Sequence, residues 1–576
     1  MTARRDGTRP LRVRWLGQLG YEEAWDLQRG LFAGGDDHLL LCTHPPVYTL
    51  GVRADEANLL VDPTTVGAGV HRVDRGGDVT FHGPGQLVGY PVLSVPGKRG
   101  GGMADTVAYV TSIERLLIDV LAELDLDAGR VAGSPGVWLD PGGERQRKIA
   151  AVGVKLSRGR SMHGFALNVD VDLGWFGHIV PCGIADKAVT SLRAEGIDVG
   201  MQRVVDLVAE RAGRHLEPVR PIERQDVAWR VRSDDLSPFT RGVARSAGAR
   251  PADGGGVPVR LRGRLADAGV GAGMEVGERK PPWMRVKLRT DPGYRRLKAV
   301  SRRLDLVTVC EEAGCPNIFE CWNEGTATFM VLGDRCTRAC GFCLVDTRRP
   351  LPPDGAEPGR VADAVVELGL SHAVLTMVAR DDLDDGGAAH VAATVEAVRL
   401  RAPDATVEVL ISDLGGSAEA LTVVLGSRPD VVNHNIETVA RLQRAVRPSA
   451  AYGRSLALLA RAGLAGATTK SGIIVGLGEE RSEVEATLAD LAAVGVGIVT
   501  VGQYLRPTAD HLPVQRWWTP DEFDDLKAFG ESELGIPHVE ASPLTRSSHH
   551  AGSALEAITG QPTRTRSWPP PATARG

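Results

Sequence analysis

The sequence predicts a multidomain α/β protein, an N-terminal α/β domain followed by a C-terminal partial (β/α)6 barrel. Three observations predict it. The chain has 576 residues, well past the size at which one hydrophobic core stops growing. A segment poor in large apolar residues, 223–272, separates two stretches of ordinary globular composition. From Thr326 onward, short apolar runs alternate with stretches of helical periodicity.

In the N-terminal domain, 1–222, apolar strands alternate with Gly-rich turns. Asp37–Cys42 and Leu87–Val92 read as strands. Thr106–Leu124 reads as a helix, with Val107, Val110, Ile113, Leu116, Leu117, Val120 and Leu121 at helical spacing. The 223–272 segment contains Arg-Ser-Ala-Gly-Ala-Arg-Pro-Ala-Asp-Gly-Gly-Gly, a linker composition with a predicted r.m.s. span of roughly 40 Å. The third region, 273–560, carries strand-like runs at Thr326–Leu332, Ala373–Val378, Val407–Ile411, Val431–Ile436, Ser471–Val475 and Ile498–Leu505. Between them, Val361–Leu368, Val391–Leu400, Ala418–Leu425, Ser455–Ala462 and Val484–Val494 have helical periodicity. Strand–helix alternation implies a parallel sheet, and six units are too few to close an eight-stranded barrel. Residues 561–576, rich in Pro and Arg, read as a disordered tail.

Net charge is -5, and Arg is scattered among Asp and Glu with no long basic block, which argues against nucleic acid as a partner. Residues 1–20 lack the apolar run of a signal peptide, and no stretch of about 18 apolar residues exists to span a membrane. The expectation is a cytoplasmic protein with no membrane partner, in a reducing compartment.

Of 8 cysteines, six lie between 310 and 343. In a long cytosolic chain that density points to metal rather than disulfides. Cys336, Cys340 and Cys343, spaced C-x3-C-x2-C directly after the first barrel strand, suit three irons of a [4Fe–4S] cube with the fourth iron open. An open iron can chelate the amino and carboxylate groups of S-adenosylmethionine. Zinc prefers four ligands, usually in paired C-x2-C knuckles, which this spacing lacks. Upstream, Cys310, Cys315 and Cys321 form a second triplet, C-x4-C-x5-C, which points to a second cluster needing a fourth ligand from elsewhere.

The segments around these cysteines resemble lipoyl synthase, a radical-SAM family, over 278–556. They are Lys280-Pro-Pro-Trp-Met-Arg, Thr308-Val-Cys-Glu-Glu-Ala-Gly-Cys-Pro-Asn-Ile, Glu320-Cys-Trp and Gly325-Thr-Ala-Thr-Phe-Met. Further on come Asn433-His-Asn-Ile-Glu-Thr-Val, Thr469-Lys-Ser-Gly, Val475-Gly-Leu-Gly-Glu and Gly502-Gln-Tyr-Leu-Arg-Pro-Thr. The resemblance implies two [4Fe–4S] clusters. The second would be completed by Ser548 in Arg546-Ser547-Ser548-His549, with Ser547 as the alternative. It implies a 5′-deoxyadenosyl radical that takes hydrogen from C6 and C8 of an octanoyl chain, the second cluster donating sulfur and a reductant such as ferredoxin or flavodoxin supplying electrons. Asn435, Glu437, Lys470 and Arg506 lie in or near strand-like runs and are expected on the cluster face, toward S-adenosylmethionine. Asp385-Gly386-Gly387 and Gly476-Leu477-Gly478 are candidate adenosine contacts, with plain turns the default. The chain departs from the family at Met377 and Ala379, where Ser and Asp are usual, at Ser412, where Pro is usual, and at His549, where Tyr is usual. Ala379 is expected to remove a carboxylate at the cluster end of the barrel.

In the N-terminal domain four segments act together: Arg75-Gly-Gly-Asp-Val-Thr-Phe-His82-Gly-Pro-Gly-Gln, Arg147-Lys148-Ile-Ala-Ala-Val-Gly-Val, Met162-His163-Gly-Phe-Ala-Leu-Asn168 and Ile179-Val-Pro-Cys182-Gly-Ile. Over 11–216 they resemble the lipoyl(octanoyl)transferases, whose α/β fold is similar to that of biotin and lipoate protein ligases. The resemblance implies Cys182 as nucleophile and Lys148 as its partner. A nearby ammonium favours the thiolate and can return its proton. Arg75, Gly76, Gly77, Asp78, Val79, Thr80, Phe81 and His82 are expected to line the acyl pocket with Ala151, Val152, Gly153, Gly164, Phe165 and Ala166, His163 assisting. The implied partners are octanoyl acyl carrier protein, lipoyl domains of 2-oxoacid dehydrogenase complexes and the glycine cleavage H protein. Cys42, beside His44-Pro-Pro, reads as buried and structural.

Overall fold

The computed structural model describes residues 10–97, 104–180, 188–216, 220–228, 268–271, 273–274, 278–284, 292–308, 317–318, 321 and 326–560. The chain divides into two compact units, Met1–Trp229 and Arg230–Gly576.

The first unit is built on a mixed sheet. Its strands are β1 (Leu11–Gln18), β2 (His38–Thr43), β3 (Val47–Leu50), β4 (Gly69–Arg72), β5 (Val79–His82), β6 (Gln86–Val92), β7 (Ala128–Val131), β8 (Ser134–Leu139), β9 (Arg147–Ser157), β10 (Arg160–Asn168), β11 (Ala188–Val189) and β12 (Ile222–Asp226). The large sheet runs β12-β1-β2-β6-β10-β9-β8-β7, with β11 beside β9, and a small sheet runs β4-β3-β5. β2 is largely apolar on both faces and almost wholly buried, as a strand covered on both sides must be, while β1 buries Arg12 and Arg14 between its apolar residues. The helix Thr106–Ala122 starts at Asp105, whose carboxylate accepts from Ala108 N at 3.1 Å. Its Ile113, Leu116, Leu117, Val120 and Leu121 are fully buried. Val107, expected on that face, is 73% exposed, because the first turn overhangs the sheet edge. β12 lies across the boundary expected at residue 222: Glu223 to Asp226 pair in parallel with Arg12 to Trp15. A strand pairing separated by two hundred residues leaves no local composition signal.

The second unit is a sheet of consecutive strands: β13 (Val307–Thr308), β14 (Thr326–Val331), β15 (His372–Met377), β16 (Thr406–Leu410), β17 (Val431–Asn433), β18 (Thr469–Val475), β19 (Ile498–Gln503) and β20 (His538–Ser542). β14 through β20 are parallel in sequence order, and only β13 runs antiparallel. The six strands expected from the sequence are β14 to β19. β20 extends the same sheet as a further parallel strand. Helices Glu357–Leu368, Ala388–Arg401, Ala418–Gly426, Tyr452–Leu464 and Arg481–Ala493 fill the connections. No described helix is long and apolar enough to cross a membrane.

Candidate active sites

In the first unit the Arg75–His82 segment folds back on β9. Gly76 N donates to Val154 O at 3.0 Å, and a Cβ on Gly153 would come within 2.9 Å of Gly76 O. Gly164 is tighter still, since a Cβ there would sit 2.1 Å from Gly89 O. These close approaches leave a cleft enclosing about 500 Å³, its open mouth included. Arg75, Gly76, Gly77, Asp78, Val79, Thr80, His82, Ala151, Val152, Gly153, Gly164, Phe165 and Ala166 line it, joined by Tyr21, Val88, Tyr90 and His163. Phe81 does not line it. Strand alternation turns Phe81 to the other face of β5, where it stacks on Trp175 with centroids 5.0 Å apart. Tyr21 reaches the cleft from a helix distant in the chain, and Tyr90 from β6, just past the Arg75–His82 segment.

Polar groups in the cleft wall form continuous chains. His82 Nδ1 is 2.8 Å from Gln86 Oε1, and Gln86 Nε2 donates to Asn168 Oδ1 at 2.9 Å. Asn168 Nδ2 donates to Thr190 O at 2.9 Å, and Thr190 N to Lys148 O at 3.0 Å. The backbone of Lys148 is thereby linked to His82. Burial, with His44 and Arg75 nearby, lowers the His82 pKa to about 3, and His44 falls to about 4 chiefly through burial, so both are neutral at pH 7. His163 Nε2 is 2.7 Å from Asp74 Oδ1, and Lys155 donates to the other carboxylate oxygen at 2.5 Å. The bond to His163 holds the Asp74 carboxyl well below its ordinary range. Cys42 is fully buried, and burial pushes its thiol well up.

Lys148 stands at the start of β9 with its ammonium 4.7 Å from the centre of the Trp138 ring. Cys182 lies outside the described residues. The chain leaving that segment is placed, however: β11 pairs in parallel with β9, Val189 opposite Lys148. On the entering side Val180 N donates to Asn58 O at 2.8 Å.

In the second unit the Cys336–Cys343 loop follows β14 and is held from several sides. Cys336 N donates to Asp346 O at 2.8 Å, Gly341 N to Val446 O at 2.8 Å, and Thr337 N and Oγ1 both donate to Ala379 O at 3.0 Å. Position 379 therefore grips the loop through its carbonyl, which any residue supplies. Arg338, between the first two cysteines, donates to Asp381 at 2.6 and 2.9 Å and to Asp413 at 2.6 Å. Ser412 accepts from Leu414 N at 3.2 Å in the turn that presents Asp413. Asp385 caps the helix after Gly386-Gly387, its carboxylate accepting from Gly387 N at 2.9 Å and Ala389 N at 2.8 Å, a turn role.

The three cysteines are free thiols. Burial pushes Cys340 up to about 11 and Cys343 up to about 12, and raises Cys336. Such thiols ionise only when a cation is bound, so the donor set fits a metal cluster held by three soft ligands. Cys310 and Cys315 lie outside the described residues. Cys321 is buried, and its N donates to Asn317 O at 3.0 Å. Asn317 Nδ2 donates to Leu544 O at 2.7 Å, which ties the Cys321 segment to the chain leading into Ser548.

The four residues expected toward S-adenosylmethionine divide. Glu437, at φ +66°, is buried close enough to Cys340 and Cys343 to raise both thiols, and Arg447 donates to Asn435 O at 2.8 Å. Lys470 is fully buried and paired at 3.0 Å with Glu408, itself fully buried. Arg506 donates to Ala509 O at 2.6 Å and His511 O at 3.0 Å, and His511 Nε2 is 2.9 Å from Cys343 O. Lys470 and Arg506 are thus engaged with protein groups.

Comparison with known proteins matches residues 20–212 to the lipoyl protein ligase A/B catalytic domain and residues 330–491 to the radical SAM superfamily. The lipoyl synthase of Rubrobacter xylanophilus is 54% identical over 279 residues, 48% of this chain and 87% of that protein. The chain belongs to the lipoyl synthase family. The lipoyl synthase of Mycobacterium avium is 51% identical over 294 residues, 51% of this chain and 93% of that protein. Among solved structures, a bipartite lipoate protein ligase from Thermoplasma acidophilum overlaps 38% of this chain and 87% of its own at 18% identity and a TM-score of 0.32. The chain therefore carries a ligase/octanoyltransferase-type catalytic domain ahead of its radical-SAM domain. Membership implies a [4Fe–4S] cluster and S-adenosylmethionine.

Proposed function

We propose that one chain carries out two consecutive steps of protein lipoylation. Cys182 takes an octanoyl group from acyl carrier protein as a thioester, and Lys148 accepts and returns the thiol proton. The octanoyl group then passes to a lysine of a lipoyl domain, of a 2-oxoacid dehydrogenase complex or the glycine cleavage H protein. Arg75, Gly76, Gly77, Asp78, Val79, Thr80 and His82 shape the acyl cleft with Ala151, Val152, Gly153, Gly164, Phe165 and Ala166. Neutral His82 fixes the wall through Gln86 and Asn168.

In the barrel, Cys336, Cys340 and Cys343 hold a cluster with one open iron, which with S-adenosylmethionine and an external reductant supplies hydrogen abstraction at C6 and C8. Cys310, Cys315, Cys321 and Ser548 hold a second cluster that supplies sulfur. Asn435 and Glu437 face S-adenosylmethionine, while Lys470 and Arg506 position their neighbours.

The observation that carries the reading is the pairing of Val189 with Lys148, which brings the chain leaving Cys182 to the backbone of Lys148. The test incubates an apo lipoyl domain anaerobically with the iron–sulfur-reconstituted chain, octanoyl acyl carrier protein, S-adenosylmethionine and a reductant, without ATP. Intact mass should show a lipoyl adduct. A product stopped at octanoyl sinks the synthase step, and an unmodified domain sinks the transfer.

A further inference from the structure

The open edge of the barrel holds a cluster that the proposed chemistry does not use. β20 pairs only with β19, His538 opposite Ile498 and Glu540 opposite Thr500, so His538 and Glu540 share one face of that strand. The chain then turns back over β20. Thr545 N donates to Ser542 O at 3.1 Å and His549 N to Arg546 O at 2.9 Å. His550, at φ +49°, opens the helix Ala551–Thr559. This turn lays His550 on His549, centroids 3.8 Å apart at 26°. It brings His550 Nδ1 to 3.4 Å from Glu540 Oε1, while His538 Nε2 lies 3.8 Å from Glu540 Oε2. That His538 nitrogen is buried and makes no hydrogen bond among the described residues.

We propose that Glu540, His549 and His550, with His538 adjacent, form a site for a zinc-like divalent cation. The ligand atoms of Glu540, His549 and His550 all lie within 4.8 Å of one another. Zinc–ligand bonds of about 2.0–2.2 Å put neighbouring ligands of a tetrahedron roughly 3.4 Å apart. The Glu540–His550 separation of 3.4 Å already equals that edge, and His549 lies within 4.8 Å of both. Imidazole ligates through a ring nitrogen that carries no proton. Imidazole and carboxylate donors select a borderline cation over Mg2+ or Ca2+, which want oxygen alone. His550 and Glu540 keep 32% and 20% side-chain exposure, which leaves an entry path. The site depends on His549, the position where the related motif carries Tyr, and it gives that departure a chemical role. An ion held here would fasten the two residues following Ser548 to β20.

The test uses the full-length chain, iron–sulfur-reconstituted under anaerobic conditions, equilibrated with Zn2+, desalted and analysed for metals. It is run beside His549→Tyr and Glu540→Gln. The wild-type chain should retain about one more zinc than either variant, with iron equal in all three and only nitrogen and oxygen in the zinc X-ray absorption shell. Each variant should weaken zinc binding by at least the roughly 10–100-fold that loss of a supporting outer-shell partner costs. Equal zinc in all three chains overturns the proposal. So does a sulfur-containing shell, which would put the zinc on cluster cysteines. Glu540→Gln alters no stacked ring, so a folding defect confined to His549→Tyr leaves the comparison decisive.

Discussion

Replacing Arg338 with Met tests whether the cysteine loop is held by its buried ion pairs. Asp413 has a fully buried side chain, and Asp381 keeps 39% exposure. The contact with Asp381 is therefore worth about 0–1 kcal/mol. Asp413 decides the outcome. Burial opposes its charged form, and Arg338 with Arg454 overcomes that and holds its pKa well below the ordinary range. Arg454 stays 3.7 Å away after the substitution and compensates only in part. Leaving one buried charge without its partner costs about 3–5 kcal/mol. The cost is capped, because Asp413 can take up a proton at pH 7 for about 4 kcal/mol. The expected loss is thus about 3–4 kcal/mol. In an anaerobic urea titration followed by iron–sulfur absorbance, the midpoint should fall by at least about 1 M. Adding Asp413→Asn removes the stranded charge and should restore about half of the loss. An unchanged midpoint, or a double variant as weak as the sum of the singles, refutes the argument.

Other substitutions test the first unit. Lys148→Met should slow octanoyl transfer at least about 100-fold, and Lys148→Arg should not rescue it, since a guanidinium does not exchange its proton. Intact mass of the octanoylated chain and the rate on the lipoyl domain give the readout. Gly164→Ala forces a Cβ to 2.1 Å from Gly89 O and should cost at least about 1–3 kcal/mol, seen as a lower thermal midpoint for this unit. His44 and His82 have folded pKa values lowered to about 4 and about 3 by burial. A depressed histidine gives stability that is complete above its unfolded pKa of about 6.5 and is lost as pH falls toward the folded value, about 1.4 kcal/mol per pH unit for each. The thermal midpoint should drop between pH 7 and pH 5.5, and His44→Asn should roughly halve that slope. An unchanged slope counts against neutral burial.

What the sequence made legible has a common physical basis: the signal was local. β14, β15 and β19 are largely apolar runs buried on both faces, and each announces itself within six residues. β20 differs, because His-Val-Glu-Ala-Ser alternates polar and apolar residues as a half-buried strand does, a pattern other than the apolar runs that mark those strands. The Arg75–His82 segment was legible because its glycines are where β9 approaches. Long-range placements were not. Phe81 faces away from the cleft although its neighbours line it, and β12 finds β1 from beyond the expected boundary. Ala379 was expected to matter for a missing carboxylate, yet Asp381 and Asp413 supply the carboxylates beside Arg338, and Ala379 contributes its carbonyl. Lys470 was expected on the cluster face because it lies beside a strand-like run. Its partner Glu408 is sixty-two residues away, so the pairing is invisible along the chain.

That buried pair also bears on which serine serves the second cluster. Glu408 Oε1 accepts from Asn433 Nδ2 at 2.7 Å, and the same nitrogen donates to Ser547 Oγ at 2.9 Å. Ser547 Oγ in turn donates to Asn435 Oδ1 at 3.1 Å. Ser547 therefore has its hydroxyl proton and a lone pair committed to the barrel wall. Ser548 is half-buried and makes no side-chain hydrogen bond among the described residues. These contacts commit Ser547 to anchoring, which favours Ser548 as the ligand in the second cluster proposed above. Ser547→Ala should remove one hydrogen bond from each of Asn433 and Asn435, cost about 1–2 kcal/mol and lower the thermal midpoint. The paramagnetic signature of the second cluster should survive. Ser548→Ala should leave the midpoint nearly unchanged, alter that signature and speed iron loss to a chelator. A spectrum that changes with Ser547→Ala and not with Ser548→Ala would reverse the assignment, because an anchoring hydroxyl has no route to the iron except by displacing its neighbour.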